Sequence, residues 1–132
     1  MKKLLLIVIS AVVALLTLSA CGEKETKNTY RQITMNEAAL MMSEEGNYII
    51  LDVRTAEEYK EKHIPGAICI PNETIGNNQI NELPDKNQLI MVYCRSGNRS
   101  KQASEKLFNL GYTNIVEFGG IIDWTGKTET GN

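Results

Sequence analysis

The chain has 132 residues, with 14 basic and 16 acidic side chains, a formal net charge of −2, one histidine and three cysteines. That length provides one domain with a modest core. The slightly acidic balance excludes a nucleic-acid surface, and a single histidine with no Cys-x-x-Cys pair excludes a zinc site.

In chain order, Met1-Lys2-Lys3 precedes an apolar run from Leu4 to Leu18, followed by Ser19-Ala20-Cys21. A charged start, an apolar stretch and a small-residue cleavage site make residues 1–20 a secretory signal peptide. The apolar run is about 15 residues, short of the roughly 20 that a spanning helix needs. The stretch "LSAC" resembles the lipobox of bacterial lipoproteins. The resemblance implies cleavage before Cys21 and lipid attachment to it. It places the protein on the outer side of the cytoplasmic membrane or at the outer membrane, anchored but not spanning. The two lysines at positions 2 and 3 leave with the signal, so residues 21–132 carry 12 basic against 16 acidic groups, a net of −4. After Cys21, "GEKETKNT" has no apolar periodicity, and residues 21–29 read as a flexible tether. The folded domain is expected over residues 30–132.

Thr34 with Glu37, and Thr55 with Glu58, each form the pattern of a helix capping box. They predict helices through "TMNEAALMMSEE", with Gly46 as its stop, and "TAEEYKEKH". Between them "YIILDV" is apolar and of strand length. "AICI" predicts a short strand, "NNQINELPDKN" a weak helical turn, and "QLIMVY" another buried strand. "NRSKQASEKLFNLGY" carries Ala103, Leu107 and Leu110 on one helical face, with Gly111 beyond its end, and "NIVEF" closes the series as a strand. Strands alternating with helices predict an α/β fold. Strands apolar on both faces predict a largely parallel sheet covered by helices on each side. Ligands collect at the carboxyl ends of such strands, where Cys94 and the Asp52-Val53-Arg54 segment fall.

The segment "VYCRSGNRS" ends a buried strand in a thiol and surrounds it with Arg95 and Arg99. A cysteine is nucleophilic as its thiolate, and an unperturbed thiol ionises only near pH 8.5. The following helix directs its positive end at the loop. Ser96, Gly97 and Asn98 make a tight turn whose amides can converge on an anion, and Gly97 allows a backbone conformation that other residues resist. A structural cysteine beside an ordinary turn would account for Cys94 but not for the arginines and the glycine.

Cysteine-dependent phosphatases use Cys-x5-Arg loops. Here Arg99 comes one residue too early, so the loop closes around a smaller target, such as one sulfur atom carried on cysteine. "YCRSGNRS" resembles the active-site loop of the rhodanese family. "ILDVRTAEEYKEKHIPGAICIP" is similar to that family's Asp-Val-Arg and His-Ile-Pro-Gly-Ala segment, and "FGGIIDW" to its Gly-Gly…Trp motif. The resemblance spans roughly residues 30–126. It implies a central, mostly parallel sheet of about five strands with helices on both faces, and a sulfurtransferase without metal or organic cofactor. Cys94 would be the nucleophile and persulfide carrier, and the amides of Arg95, Ser96, Gly97, Asn98 and Arg99 would cradle the sulfur. Arg95 and Arg99 would attract a small anionic donor such as thiosulfate, and a thiol or cyanide would be the acceptor.

Asp52 and Arg54 are expected to support the site through a salt bridge, His63 to fix a turn, Gly119 and Gly120 to permit close packing, and Trp124 to join the core. Lys62 replaces a usual glycine, Cys69 a frequent asparagine, and the chain stops soon after Trp124. On the family's sheet order the strand ending at Asp52 separates Cys69 from Cys94 by two strand spacings, roughly 9 to 10 Å. A disulfide tolerates about 7 Å, so Cys69 is expected to be a buried, unreactive thiol. The rival readings are a non-catalytic binding module, an extracytoplasmic thiol-redox protein and a phosphatase.

Overall fold

The computed structural model describes residues 30–132. The signal-peptide, lipid-attachment and tether assignments, Cys21 among them, lie outside the described residues. In chain order the elements are β1 (Arg31–Gln32), α1 (Met35–Glu44), β2 (Tyr48–Asp52), α2 (Ala56–Glu61), β3 (Ile68–Cys69), β4 (Leu89–Cys94), α3 (Asn98–Asn109) and β5 (Ile115–Gly120). Single 3-10 turns occupy Asn72–Thr74 and Ile121–Asp123. The sheet order is β1-β5-β4-β2-β3 and every pairing is parallel, as the alternating pattern predicts.

The central strand shows why. All six residues of β4 are buried, and they alternate between two cores. Leu89, Met91 and Tyr93 pack with Ala38 of α1, Ile64 and Phe118. Ile90, Val92 and Cys94 pack with Ala103 and Leu107 of α3. Period-two alternation sends successive side chains to opposite faces, so a strand with helices on both sides must be apolar throughout.

Both capping boxes form. Thr34 Oγ1 accepts from the Glu37 amide at 3.1 Å, and Glu37 Oε2 accepts from the Thr34 amide at 2.8 Å. Thr55 and Glu58 do the same for α2. Each cap is worth on the order of 1 kcal/mol. At its other end α3 closes through Gly111, φ +98°. The Tyr112 amide donates to Leu107 at 3.1 Å and the Gly111 amide to Phe108 at 2.9 Å, the paired bonds of a left-handed helix stop.

Three expectations need correction. The first helix does not stop on Gly46. It ends at Glu44, where Glu45 turns extended and its amide still donates to Met41. The stretch 77–87 forms no helix beyond a single turn, in which the Leu83 amide donates to the Ile80 carbonyl at 3.1 Å. Its buried residues, Ile80 and Leu83, anchor an irregular segment to the α3-side core instead, and Leu83 holds the Tyr112 hydroxyl through its carbonyl at 2.5 Å. The last strand runs to Gly120 rather than Phe118, and the two-residue strand β1 beside it has no sequence signature because two exposed residues show no periodicity.

Candidate active site

Cys94 is the last residue of β4, 1% exposed. The chain turns through Arg95, Ser96 and Gly97 into α3, with Gly97 as the helix N-cap at φ +107°. That left-handed backbone favours glycine. A neighbouring strand makes room for the loop. β5 carries one extra residue between the Val92–Glu117 and Cys94–Gly120 pairs, and Gly119 in this bulge has φ +94°. A Cβ on Gly120 would overlap the Arg95 carbonyl and the Ser96 Cα, so the loop lies flat on β5 only because that position is glycine.

Folded this way, the loop encloses the sulfur. The Gly97 amide donates to Cys94 Sγ at 3.0 Å. The thiol donates to Ser100 Oγ at 3.3 Å. Ser100 Oγ lies 2.6 Å from Glu117 Oε1, and the Gly119 amide donates to that same oxygen at 2.9 Å. Ser100 is fully buried and Glu117 is 3% exposed. The first turn of α3 adds its partial positive charge beside the thiol.

The two arginines diverge. Arg99 forms a two-pronged ion pair with Glu58 of α2, at 2.7 and 3.0 Å. Hydrogen bonding to Arg99 holds the Glu58 carboxyl well below its ordinary 4.5, at about 2. Arg95 is exposed and lines an open cleft of about 460 Å³ together with Arg54, Glu58, Lys62, Ile121 and Ile122. Arg99 is thus tied down at the rim, and Arg95 is the arginine presented to the cleft. The Glu58 carboxyl is depressed in the folded state, so its contribution is present above about pH 4.5 and is lost as pH falls towards 2. Glu58→Gln is expected to flatten that acid limb of the stability–pH curve by less than about 1 kcal/mol, because the pair is partly solvated. Urea unfolding at pH 3 and pH 6 checks it.

Beneath the cleft lies a buried network. Arg54 Nε and Nη2 donate to the Asp52 carboxylate at 2.6 to 3.1 Å, and the Tyr93 hydroxyl donates to it at 2.7 Å. Burial first, and Asp52 second, push the Tyr93 phenol far above its usual range. The Tyr93 oxygen in turn accepts the Ile64 amide at 3.1 Å, and Arg54 reaches the Lys62 carbonyl at 2.6 Å. This network clamps the chain after α2 onto the sheet. His63 extends it: the ring stacks on Tyr59 at 3.8 Å, and Nδ1 lies 2.8 Å from the Tyr59 carbonyl. The His63 backbone pairs with Glu129 near the C-terminus.

The structure therefore brings the Gly97 amide and the Ser100 hydroxyl to the Cys94 sulfur, and leaves Arg95 and Ser96 exposed on the turn above it. It leaves Asn98 exposed at the start of α3, turns Arg99 to Glu58, and keeps Asp52 and Arg54 in the supporting layer. Trp124 is half-buried against the α1-side core. Cys69 is half-buried rather than part of the core, with its sulfur 3.6 Å from the Arg54 carbonyl. Burial pushes its thiol up to about 11, and β2 stands between it and Cys94. Sequence reasoning missed Ser100 and Glu117 as site residues. A carboxylate at the third position of "IVEF" should have been the signal, because strand alternation aims it at the α3 face.

The profile of the Rhodanese-like domain matches residues 34–127. The chain is 41% identical over 73 residues to thiosulfate sulfurtransferase PspE of Escherichia coli, covering 55% of this chain and 70% of that one. It is 32% identical over 94 residues to a sulfurtransferase of Allochromatium vinosum, covering 70% and 86%. A solved rhodanese from E. coli superposes with a TM-score of 0.59 at 37% identity, over 64% of this chain and 99% of that one. Loop, sheet order and sequence thus agree, and the chain belongs to the rhodanese-like domain family as a rhodanese-type transferase.

Proposed function

We propose that the protein moves sulfane sulfur from a small anionic donor such as thiosulfate to a thiol or cyanide, through a persulfide on Cys94. The observation that carries this is the Cys94 sulfur held at a strand end beneath the turn Arg95–Gly97, with the Gly97 amide aimed at it from 3.0 Å. The Cys94 thiolate attacks the donor's outer sulfur. A new S–S bond forms as the donor's S–S bond breaks, and sulfite departs with the electron pair. The transferred sulfur stays on Cys94 as a perthiolate, inside a cradle of amide and helix-end positive charge. The acceptor then attacks that outer sulfur, and the Cys94 thiolate leaves. Arg95, exposed beside the cleft, draws in the anionic donor. The name of the E. coli relative, a thiosulfate sulfurtransferase, supports this choice of donor. A mass spectrum after thiosulfate treatment is expected to show one added sulfur on the Cys94 peptide and none on the Cys69 peptide. Sulfur on neither, in folded protein, overturns the reading.

The same reading has the chain exported and held outside the membrane by a lipid on Cys21, on the strength of "LSAC" behind an apolar run and two lysines. Residues 30–132 then form the working domain on a short tether. Cys21→Ala is expected to release the protein from the membrane fraction or to leave an unprocessed precursor. Unchanged processing and membrane association would refute the anchor.

A further inference from the structure

We propose that Glu117 is the internal proton acceptor of Cys94, acting through the Ser100 hydroxyl, and that the proton then leaves on the side of the loop away from the arginine cleft. The proposal rests on Cys94 being the nucleophile. Its basis is a count of hydrogens. Ser100 Oγ lies 3.3 Å from Cys94 Sγ and 2.6 Å from Glu117 Oε1, and all three groups are buried. Ser100 has one hydroxyl hydrogen, and besides the sulfur and Glu117 the Gly97 carbonyl lies 3.0 Å from its oxygen, farther than the 2.6 Å of Glu117 Oε1. With the thiol protonated, that hydrogen goes to the Glu117 carboxylate and the thiol donates to Ser100. If Cys94 and Glu117 were both anionic, one hydrogen would have to serve two acceptors, and two like charges would share a dry site. Moving one proton removes both conflicts. The thiol gives its proton to Ser100, and Ser100 gives its own to Glu117. The carboxylic acid then donates to Ser100, and Ser100 donates to the thiolate beside the Gly97 amide. The Cys94–Ser100 and Ser100–Glu117 bonds are kept with their direction reversed, the Gly97 and Gly119 amides still donate to the sulfur and to Glu117 Oε1, and the pair holds one proton before and after the transfer.

The surroundings suit this. Arg99 is matched by Glu58 and Arg54 by Asp52. Among the described residues, Arg95 on the loop and Lys101 on α3 have no ion pair, and Lys101 lines the cleft beside Glu117. Tyr93, behind the same strand end, keeps its proton. An open cleft of about 370 Å³ borders Glu117 and is lined also by Thr34, Glu37, Ser96, Gly97 and Lys101. Glu117, itself buried, thus lies at the inner wall of a cleft on the side away from Arg95, the side on which a proton would leave. The neutral acid also places no charge beneath a loaded perthiolate.

Titrating the thiolate by its ultraviolet absorbance, with Cys94→Ser protein as the blank, tests the proposal without any sulfur donor. It therefore reads the pair whether or not sulfur transfer is the reaction, and absence of a persulfide in the mass spectrum would count against the proposed function alone. Wild-type protein is expected to form thiolate in two steps, one for each proton of the pair. Glu117→Gln keeps the acceptor oxygen but cannot take a proton. It is expected to show one step, at higher pH, with thiolate near pH 6 reduced at least about tenfold, the change that accompanies one unit in a midpoint. Ser100→Ala is expected to shift the same way with Glu117 intact. A merely structural carboxylate predicts the opposite sign, because removing its charge favours a nearby anion. Thiolate near pH 6 that is unchanged or increased in Glu117→Gln overturns the relay. If that variant does not fold, a single-step wild-type titration overturns it instead.

Discussion

Replacing Cys94 with serine is expected to abolish sulfur transfer from thiosulfate while leaving the domain folded. A serine hydroxyl is close in shape, can accept the Gly97 amide that now meets the sulfur, and can still reach Ser100. It stays protonated at neutral pH and cannot carry a perthiolate. Loss of a covalent nucleophile removes on the order of 10⁴-fold or more of turnover, as nucleophile replacements in other enzymes do. Cyanide-dependent thiocyanate formation measures the activity, and circular dichroism with thermal melting checks the fold. Substantial turnover in a folded Cys94→Ser protein would remove Cys94 from the reaction.

Removing the Asp52 carboxylate is expected to have the largest effect on stability. Asp52 is fully buried, and its carboxylate accepts from the Arg54 side chain and the Tyr93 hydroxyl. Asp52→Ala would strand the Arg54 guanidinium, 5% exposed, and leave the Tyr93 hydroxyl without its acceptor. Breaking one side of a buried ion pair costs about 3 to 5 kcal/mol. That approaches the whole stability of a small domain, about 5 to 15 kcal/mol. The turn through Lys62 and Ile64 should loosen first, because Arg54 and Tyr93 hold its backbone. Urea denaturation measures the loss. The double replacement Asp52→Leu with Arg54→Met should recover much of it, since apolar pairs of similar volume can replace buried charges. A loss below about 1 kcal/mol for Asp52→Ala would mean that the pair is solvated.

Several features of the fold were legible without coordinates because each is a local property of the chain. Thr34 with Glu37 and Thr55 with Glu58 announce two helix starts, since both partners of each cap lie three residues apart. "LIMVY" announces a strand covered on both sides, because its apolar residues fall on both faces. The Cys94-to-Arg99 spacing announces a loop too short for a phosphate. Other features depend on residues distant in the chain. The weak helical turn expected at 77–87 shrinks to one hydrogen-bonded turn from Ile80 to Leu83 within irregular backbone, because Ile80 and Leu83 find their partners in the α3-side core. Strand β1 exists because β5 offers Arg31 and Gln32 an open edge. Arg99 was legible as a cation of the loop, but only the packing of α2 against the loop brings Glu58 to within 2.7 Å and takes that charge out of the cleft. Glu117 and Ser100 lie 17 positions apart. By itself the sequence determined the thiol, its loop and the helix beyond it, because those follow from neighbours along the chain. Only the tertiary structure decided which carboxylate reaches which partner, because parallel strands joined through helices bring together residues that share no local pattern.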